Sequence, residues 1–266
     1  MFILDPDGDI VWWYPSRIGR TSRAHLSHDK KAIWLVPDRG NFGSAAVERV
    51  SLDTLESELY EVGASHDAVP VADGMLAYID YGEEDCGSIF TLDIDGTTTE
   101  IFESDDHLPG MEPPECHMNA VRYYEDPKLY SVSDRNNDIF VIDSQGDVQW
   151  RLSDTVPNDR YDGEQHGHQI LSDSILLFAN LGGPGWSAAA YEFSLPDGQE
   201  LFRYAPDISS PFLGDVQRLP GGNTLVTFSI AGIIHEVDPD GDPVMEITGN
   251  MFGYAKWYSS LYTTGE

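Results

Sequence analysis

Basic residues are scarce in this sequence. Its 266 residues include 15 Lys and Arg against 46 Asp and Glu, which gives a net charge of −31. Lysine occurs only at Lys30, Lys31, Lys128 and Lys256. Because no basic stripe is present to neutralise a row of phosphates, the composition argues against nucleic acid as a partner. The acidic residues are spread along the chain, which is typical of a halophilic surface screened by abundant cations; an acidic face for a cationic partner is the alternative.

Cysteines and long apolar runs are also few. Cys86 and Cys116 do not make a disulfide framework, and one bridge or two free thiols both remain open. No second pair of ligands lies at metal spacing from Cys116 and His117, so no metal or other cofactor is predicted. No stretch approaches the roughly 20 apolar residues that cross a bilayer, so no transmembrane segment is predicted. Residues 1–14 lack the basic and apolar regions of a signal peptide and begin inside a strand pattern, which is compatible with a longer native product.

What the sequence does contain is a repeat. Each copy has an apolar strand, a tight turn with Gly and a second strand, and the Asp-Gly form of this turn is a strong hairpin signal. Five copies occupy residues 3–14, 91–102, 141–152, 193–204 and 236–247, and a weaker copy at 50–62 has lost its glycine. The copies begin about 40–52 residues apart, which matches a four-stranded propeller blade.

A further strand pair precedes the hairpin in the repeat, and no segment with helical periodicity competes with it. We therefore predict a single all-β domain over residues 1–266, a six-bladed β-propeller with four-stranded antiparallel blades. The chain opens on an outer hairpin and ends on an inner-strand pattern at 252–262. Pairing of the N- and C-terminal strands is expected to complete the sixth blade and close the ring. A β-sandwich is the alternative fold.

Three histidines recur at the same phase of the repeat. His66, His117 and His166 are 51 and 49 residues apart, and each stands where an inner strand begins. Three neighbouring blades would then direct an imidazole to one mouth of the central channel. A single histidine is more often a hydrogen-bonded structural residue, but three in phase indicate a shared site for proton transfer or nucleophilic chemistry.

The segments around these histidines resemble a known family. Residues 116–152 carry a His-x-Asn motif, an arginine after the next strand and an Ile-Asp…Gly…Trp hairpin, and residues 164–171 carry a Gln-His pair. On these motifs, and on residues 65–79 and the closing aromatic segment, the chain is similar to the arylsulfate sulfotransferases. These are six-bladed propeller enzymes that move a sulfuryl group between phenols without a nucleotide sulfate donor. The resemblance implies small-molecule partners, an aryl sulfate and a phenol.

The resemblance also implies roles for individual residues. His166 falls on the histidine that is transiently sulfurylated, while His117 and His66 fall on active-site histidines suited to proton transfer. Arg135 and Asn119 would bind the sulfate oxygens.

Two further histidines are predicted from their place in the repeat, and one residue differs from the family. His168 is expected to share a face with His166 and assist substrate binding, and His28, in better phase than His25, to line the site. Leu213 falls at or beside a threonine of some relatives, which leaves the acceptor side of the pocket open. Relatives are often exported or membrane-tethered, so the full-length protein is expected to be extracytoplasmic or membrane-tethered.

Two other functions remain open from the sequence. A propeller can bind a ligand or protein without catalysis, because this fold hosts many unrelated functions. Hydrolysis, with water in place of the phenol, would use the same residues. The sequence carries no signal for the oligomeric state.

Overall fold

The chain folds almost entirely into β-structure. The computed structural model describes residues 1–37, 46–71, 75–81, 87–104, 117–134, 138–157, 160–161 and 164–261. These residues form 22 strands, with short 3-10 turns at Leu152–Asp154 and Pro184–Trp186. Within them, no helix has the length and apolarity needed to cross a membrane.

Twenty of the strands form five four-stranded antiparallel sheets, numbered here as blades 1 to 5. Blade 1 contains β3 (Thr21–Leu26), β4 (Ala32–Pro37), β5 (Ala46–Ser51) and β6 (Ser57–Glu61). Blade 2 contains β7 (Ala64–Pro70), β8 (Leu76–Asp80), β9 (Ser88–Leu92) and β10 (Thr98–Glu103). Blade 3 contains β11 (Met118–Tyr124), β12 (Leu129–Asp134), β13 (Ile139–Asp143) and β14 (Val148–Arg151). Blade 4 contains β15 (Gln165–Ile170), β16 (Ser174–Ala179), β17 (Ala189–Ser194) and β18 (Glu200–Tyr204). Blade 5 contains β19 (Asp215–Arg218), β20 (Thr224–Phe228), β21 (Ile233–Val237) and β22 (Pro243–Thr248).

The blades form a propeller because each sheet buries both faces against its neighbours. The first strands, β3, β7, β11, β15 and β19, are adjacent to one another in this order and surround the centre. The core lies between the sheets; Ile79 of blade 2 and Phe140 of blade 3, for example, belong to one apolar cluster. This confirms the predicted all-β propeller with four-stranded antiparallel blades.

The repeat formed by the two ends of the chain differs from the other five. Its hairpin, β1 (Phe2–Leu4) and β2 (Ile10–Trp13), is a sheet of only two strands. The C-terminal segment, residues 249–261, has no assigned strand, yet it lies between blades 1 and 5: the Tyr254 amide donates to Ser22 O at 2.8 Å, and the Trp257 amide donates to Gln217 Oε1 at 2.9 Å. Six complete blades are therefore not confirmed. In the described residues the ring closes through these contacts and apolar packing, and no strand ladder joins the two ends of the chain.

The predicted hairpin turns are confirmed in detail. In the first turn, Asp5 Oδ1 accepts the amides of Asp7 at 3.0 Å and Asp9 at 2.9 Å, and Gly8 has a φ of +88°. A positive φ is the reason why glycine recurs at this position. In the weaker copy Leu55 takes the left-handed conformation instead, with a φ of +61°. The turn geometry thus survives the loss of its glycine.

Candidate active site

Irregular backbone marks one end of the ring, where the inner strands begin. Register shifts lie between Thr21 and Arg23 in β3, Ala64 and Ala68 in β7, Met118 and Ala120 in β11, and Gln165 and Gly167 in β15. A β-bulge interrupts the alternation of side chains and re-aims the residue that stands on it. Consequently His66, Asn119 and His166 do not follow the regular pleat of their strands.

Two residues in or next to the inner strands at this end also have a left-handed backbone without being glycine. His66 has a φ of +62° and Leu213, just before β19, has a φ of +58°. Such a conformation costs roughly 1–2 kcal/mol per residue for an L-amino acid. The surrounding hydrogen bonds must offset this cost. Strained backbone that aims a side chain is common at functional sites.

His66 and His117 form a contacting pair at the mouth of the ring. Their Nε2 atoms are 3.1 Å apart, and His66 Nδ1 lies 2.9 Å from Ser65 Oγ. The ring of Tyr81 stacks on His117 with centroids 4.7 Å apart and meets His66 edge-on at 4.9 Å. Its hydroxyl donates to Met118 O, which fixes the ring. Because a hydrogen bond between two imidazole nitrogens needs one N–H and one lone pair, this pair can pass a proton.

His166 is held in one tautomer by Asn180. The Asn180 Nδ2 group donates to Ser210 O at 2.6 Å and to Leu213 O at 2.7 Å. Because carbonyl oxygens only accept, these bonds fix the amide and turn its Oδ1 toward His166 Nδ1, 2.5 Å away. An amide oxygen also only accepts, so Nδ1 carries a proton, and in the neutral form of the ring the lone pair is on Nε2. His166 is buried, with 6% of its surface exposed.

A network of buried charges fills the centre of the ring beside the mouth. This plug consists of Arg23, Asp67, Arg122, Asp215 and Lys256. Asp67 contacts Arg23 Nε at 2.9 Å and Arg122 Nη1 at 2.5 Å. Asp215 contacts Arg23 Nη1 at 3.1 Å, Arg122 Nη2 at 2.9 Å and Lys256 Nζ at 3.2 Å. Four blades and the C-terminal segment are therefore joined through five side chains.

The plug carries three cationic groups and two carboxylates. Burial alone would raise the pKa of Asp67, but Arg23 and Arg122 outweigh it and lower that pKa to about 2. The pKa of Asp215 is lowered as well, because Lys256 and the two arginines outweigh its burial. Burial lowers the pKa of Lys256 to about 8 in spite of its ion pair with Asp215. The carboxylates are thus ionised at neutral pH, and the excess charge is positive.

The plug is anchored to the candidate nucleophile. Arg23 Nη2 donates to His166 O at 3.2 Å, so this arginine reaches from blade 1 to blade 4 across the centre. Its guanidinium also lies 3.4 Å from the centroid of the Tyr254 ring, which covers it as a cation–π partner. Arg23 is 2% exposed. The centre of the ring is therefore filled, and a ligand would bind above it, at the mouth.

Two of the expected substrate-binding residues occupy other surroundings than predicted. Asn119 is buried, and its Nδ2 donates to Gln165 O at 2.7 Å, which joins the third and fourth inner strands. His168 was expected to share a face with His166, but the bulge in β15 breaks the alternation. His168 is fully buried with Nε2 2.7 Å from Ser131 Oγ of blade 3, and burial lowers its pKa well below the ordinary value.

His28 is also placed differently from the prediction. Its side chain is 50% exposed in a turn of blade 1 and lies 3.4 Å from Glu125. His25 takes the inward position instead, with Nε2 3.4 Å from Asp67 Oδ1. The reason is that β3 ends at Leu26, so His28 lies in the following turn and does not follow the alternation of side chains in the strand. Arg135 lies outside the described residues, as do both cysteines.

Sequence reasoning missed the residues that support the histidines. Tyr81 and Asn180 each directly follow a second strand of a blade, a place where the repeat shows no fixed residue type. A signal for the plug did exist: four of only 15 basic residues fall in inner-strand patterns, and three of these, Arg23, Arg122 and Lys256, belong to the plug. Among the described residues, no three His, Cys, Asp or Glu side chains are grouped so that they could hold a metal ion.

Comparisons with known proteins identify the fold alone. No protein-family model matches the chain, and no curated protein matches its sequence. Solved structures do match. A protein of unknown function from Bacteroides caccae is 16% identical with a TM-score of 0.66, over 95% of this chain and 92% of that one. A streptogramin B lyase structure is 15% identical with a TM-score of 0.62, over 92% and 74% of the two chains. Virginiamycin B lyase from Staphylococcus aureus is 13% identical with a TM-score of 0.59, over 94% and 77%. This chain is thus similar in fold to β-propellers that include enzymes.

Proposed function

We propose that this propeller is an aryl-sulfate sulfotransferase that moves a sulfuryl group from an aryl sulfate ester to a phenolic acceptor through a sulfo-histidine on His166. The observation that carries the proposal is the hydrogen bonding of Asn180, which leaves the lone pair of neutral His166 on Nε2. A neutral imidazole nitrogen is a competent nucleophile, and a covalent intermediate divides the transfer into two easier steps.

The two half-reactions balance with the groups at the mouth. In the first, His166 Nε2 forms a bond to sulfur while the bond from sulfur to the aryl oxygen breaks. The leaving phenolate takes a proton from the His66–His117 pair, which favours its departure because phenols have a pKa near 10. In the second, the same pair accepts the proton of the incoming phenol, whose oxygen attacks sulfur and releases His166.

The charge distribution supports binding of an anionic ester at this place. The protein as a whole carries a net charge of −31 and repels anions. The plug, with three cations against two carboxylates, concentrates positive charge next to His166, and Arg23 donates to the backbone of His166 itself. Sulfuryl transfer resembles phosphoryl transfer in depending on electrostatic stabilisation of peripheral oxygens. Arg135 remains our candidate for direct contact with those oxygens. Asn119 helps to position the start of β15 through Gln165 O, and His168 and His28, which lie away from the mouth, are not assigned to the substrate.

The test is a search for the covalent intermediate. We expect protein mixed with 4-nitrophenyl sulfate, in molar KCl and at low salt, to gain the mass of one sulfuryl group on the peptide that contains His166. The His166→Ala variant should not be labelled, whereas His235→Gln, on the third strand of blade 5, should be labelled like the wild type. Labelling should release one equivalent of 4-nitrophenol, and further release that requires a phenolic acceptor would distinguish transfer from hydrolysis.

The opposite result is equally clear. An unlabelled wild type with unconsumed ester in both buffers would overturn the proposal and favour a propeller that binds without catalysis.

A further inference from the structure

A small cavity opens beside the mouth, between the start of β3 and the C-terminal segment. Its volume is about 210 Å³. We name it the side cavity. The residues that line it include Arg20, Ser22, Leu213, Met251, Phe252 and Gly253. All of these belong to the part of the chain that is described, and none is used in the chemistry proposed above.

The walls of the side cavity contact residues that hold both parts of the proposed catalytic apparatus. On one wall, Ser22 Oγ lies 3.3 Å from His66 O and 3.1 Å from Pro37 O, the two acceptors within reach of its single proton. On the other wall, Leu213 O accepts from Asn180 at 2.7 Å, and Asn180 holds His166. The cavity is therefore linked to the backbone of His66 on one side and, through Asn180, to His166 on the other.

The size and lining of the side cavity suit one aromatic ring. An apolar cavity of roughly 150 Å³ is enough to bind benzene, whereas pockets for drug-sized ligands span about 300–1,000 Å³. Leu213, Met251 and Phe252 supply apolar and polarisable surface, and methionine sulfur makes favourable contacts with ring edges. Arg20, whose Nη2 lies 3.2 Å from Met251 Sδ, adds a positive charge at the rim.

The shape of the side cavity is built into the fold. Gly253 is packed so closely on blade 1 that a Cβ there would overlap the Ser22 carbonyl oxygen. Ser229 Oγ of blade 5 donates to Gly253 O at 2.6 Å, which holds the segment on its other side. The rings of Phe252 and Phe2 meet edge-on with centroids 6.5 Å apart. A cavity fixed in this way binds a ligand without ordering its walls first.

We infer that the side cavity binds the monocyclic aryl group of the substrates and excludes fused bicyclic ones. This inference rests on the proposed function for the identity of the substrates. It adds a size limit, set by Leu213 and Met251, and it implies that the rings of donor and acceptor use one place in turn. The phenol oxygen would then point out of the cavity toward the histidines, as transfer to and from His166 requires.

Direct binding tests the inference without any need for turnover. We expect wild-type protein to bind 4-nitrophenol in isothermal titration calorimetry. Leu213→Trp and Met251→Trp, which fill the cavity, should weaken this binding by about tenfold or more. Leu201→Trp, an exposed position on β18, is the matched control and should bind as the wild type does.

An enlarged cavity gives a readout that misfolding cannot imitate. We expect Leu213→Ala to gain affinity for 2-naphthol by about tenfold relative to the wild type, because a hydrophobic pocket discriminates by the volume it offers. The inference is overturned if the wild type does not bind 4-nitrophenol, or if the Trp variants bind it unchanged. If these variants lose binding but no sulfuryl-His166 ever forms, the cavity stands and the proposed activity fails. If the label forms and the variants bind normally, the cavity alone is refuted.

Discussion

The plug and the mouth lie side by side in the ring, yet they treat their polar groups in opposite ways. In the plug, Asp67 and Asp215 each contact two arginines at 2.5–3.1 Å. At the mouth, the half-buried His66 and His117 meet each other, and His66 stands on left-handed backbone. Buried ionised groups in contact with opposite charges do not tolerate the loss of a partner, whereas titratable groups that can exchange a proton suit chemistry. The difference indicates that adjacent residues of one inner strand serve different purposes: in β7, Asp67 belongs to the rigid plug and His66 to the proposed reactive pair at the mouth.

The largest effect on stability is expected in the plug. Asp215→Asn keeps the shape of the side chain but leaves three cations facing one carboxylate. Because an uncompensated buried charge remains, unfolding free energy should fall by about 3–5 kcal/mol. Denaturant titration would measure this loss, and Asp95→Asn, in an exposed turn, should leave the midpoint unchanged. An Asp215→Asn protein as stable as the wild type would show that the plug does not hold the ring together.

The next effect is on activity and should be confined to the mouth. His117→Gln can still form hydrogen bonds but cannot pass a proton, so turnover of an aryl sulfate should fall by about 100-fold or more. Stability should change by only about 1 kcal/mol, the net worth of one hydrogen bond. Aryl sulfates with more acidic phenols as leaving groups should recover part of the rate, because they need less protonation. Equal losses for all leaving groups would contradict the role of an acid.

The smallest effect is a pH dependence that belongs to Lys256. Its pKa in the folded protein is about 8, below the ordinary value of 10.5, so between these values only the unfolded chain holds the proton. Stability of the wild type relative to Lys256→Met should therefore rise by about 3 kcal/mol from pH 8 to pH 10.5 and stay constant below pH 8. Thermal unfolding at a series of pH values measures the difference. Lys31→Met, an exposed lysine, should track the wild type; if Lys256→Met does so too, the lysine is not buried in the plug as described.

The parts of this structure that depend on neighbouring residues could be predicted from the sequence. The turn at Asp5 and Gly8 is local chemistry, and the repeat spacing brought His66 and His117 to the same end of the ring. Contacts between distant residues could not be predicted. Arg23 and Asp215 are 192 residues apart, and only ring closure makes them partners. The bulges were equally invisible, since a period of two in a strand pattern shows no extra residue, and this is why the orientation of His168 was mispredicted.

The sixth unit shows a further limit of the repeat. The pattern at residues 252–262 predicted a paired strand, but the described residues hold their place through Tyr254, Trp257 and the buried Lys256. The residues of the C-terminal segment belong to the plug and the side cavity and also close the ring. A segment that has to satisfy three demands need not retain the regular hydrogen bonding of a blade.

Arg23 stretched across the centre has a kinetic consequence. It makes the ring a dead end, because whatever reaches His166 from the mouth has to leave by the way it came. For the proposed reaction, the phenol released from the donor must leave through the mouth before the acceptor phenol can enter, so the two bind one after the other. Such an enzyme alternates strictly between its free and its sulfurylated form. An excess of acceptor would slow turnover by binding to the free form in place of the donor.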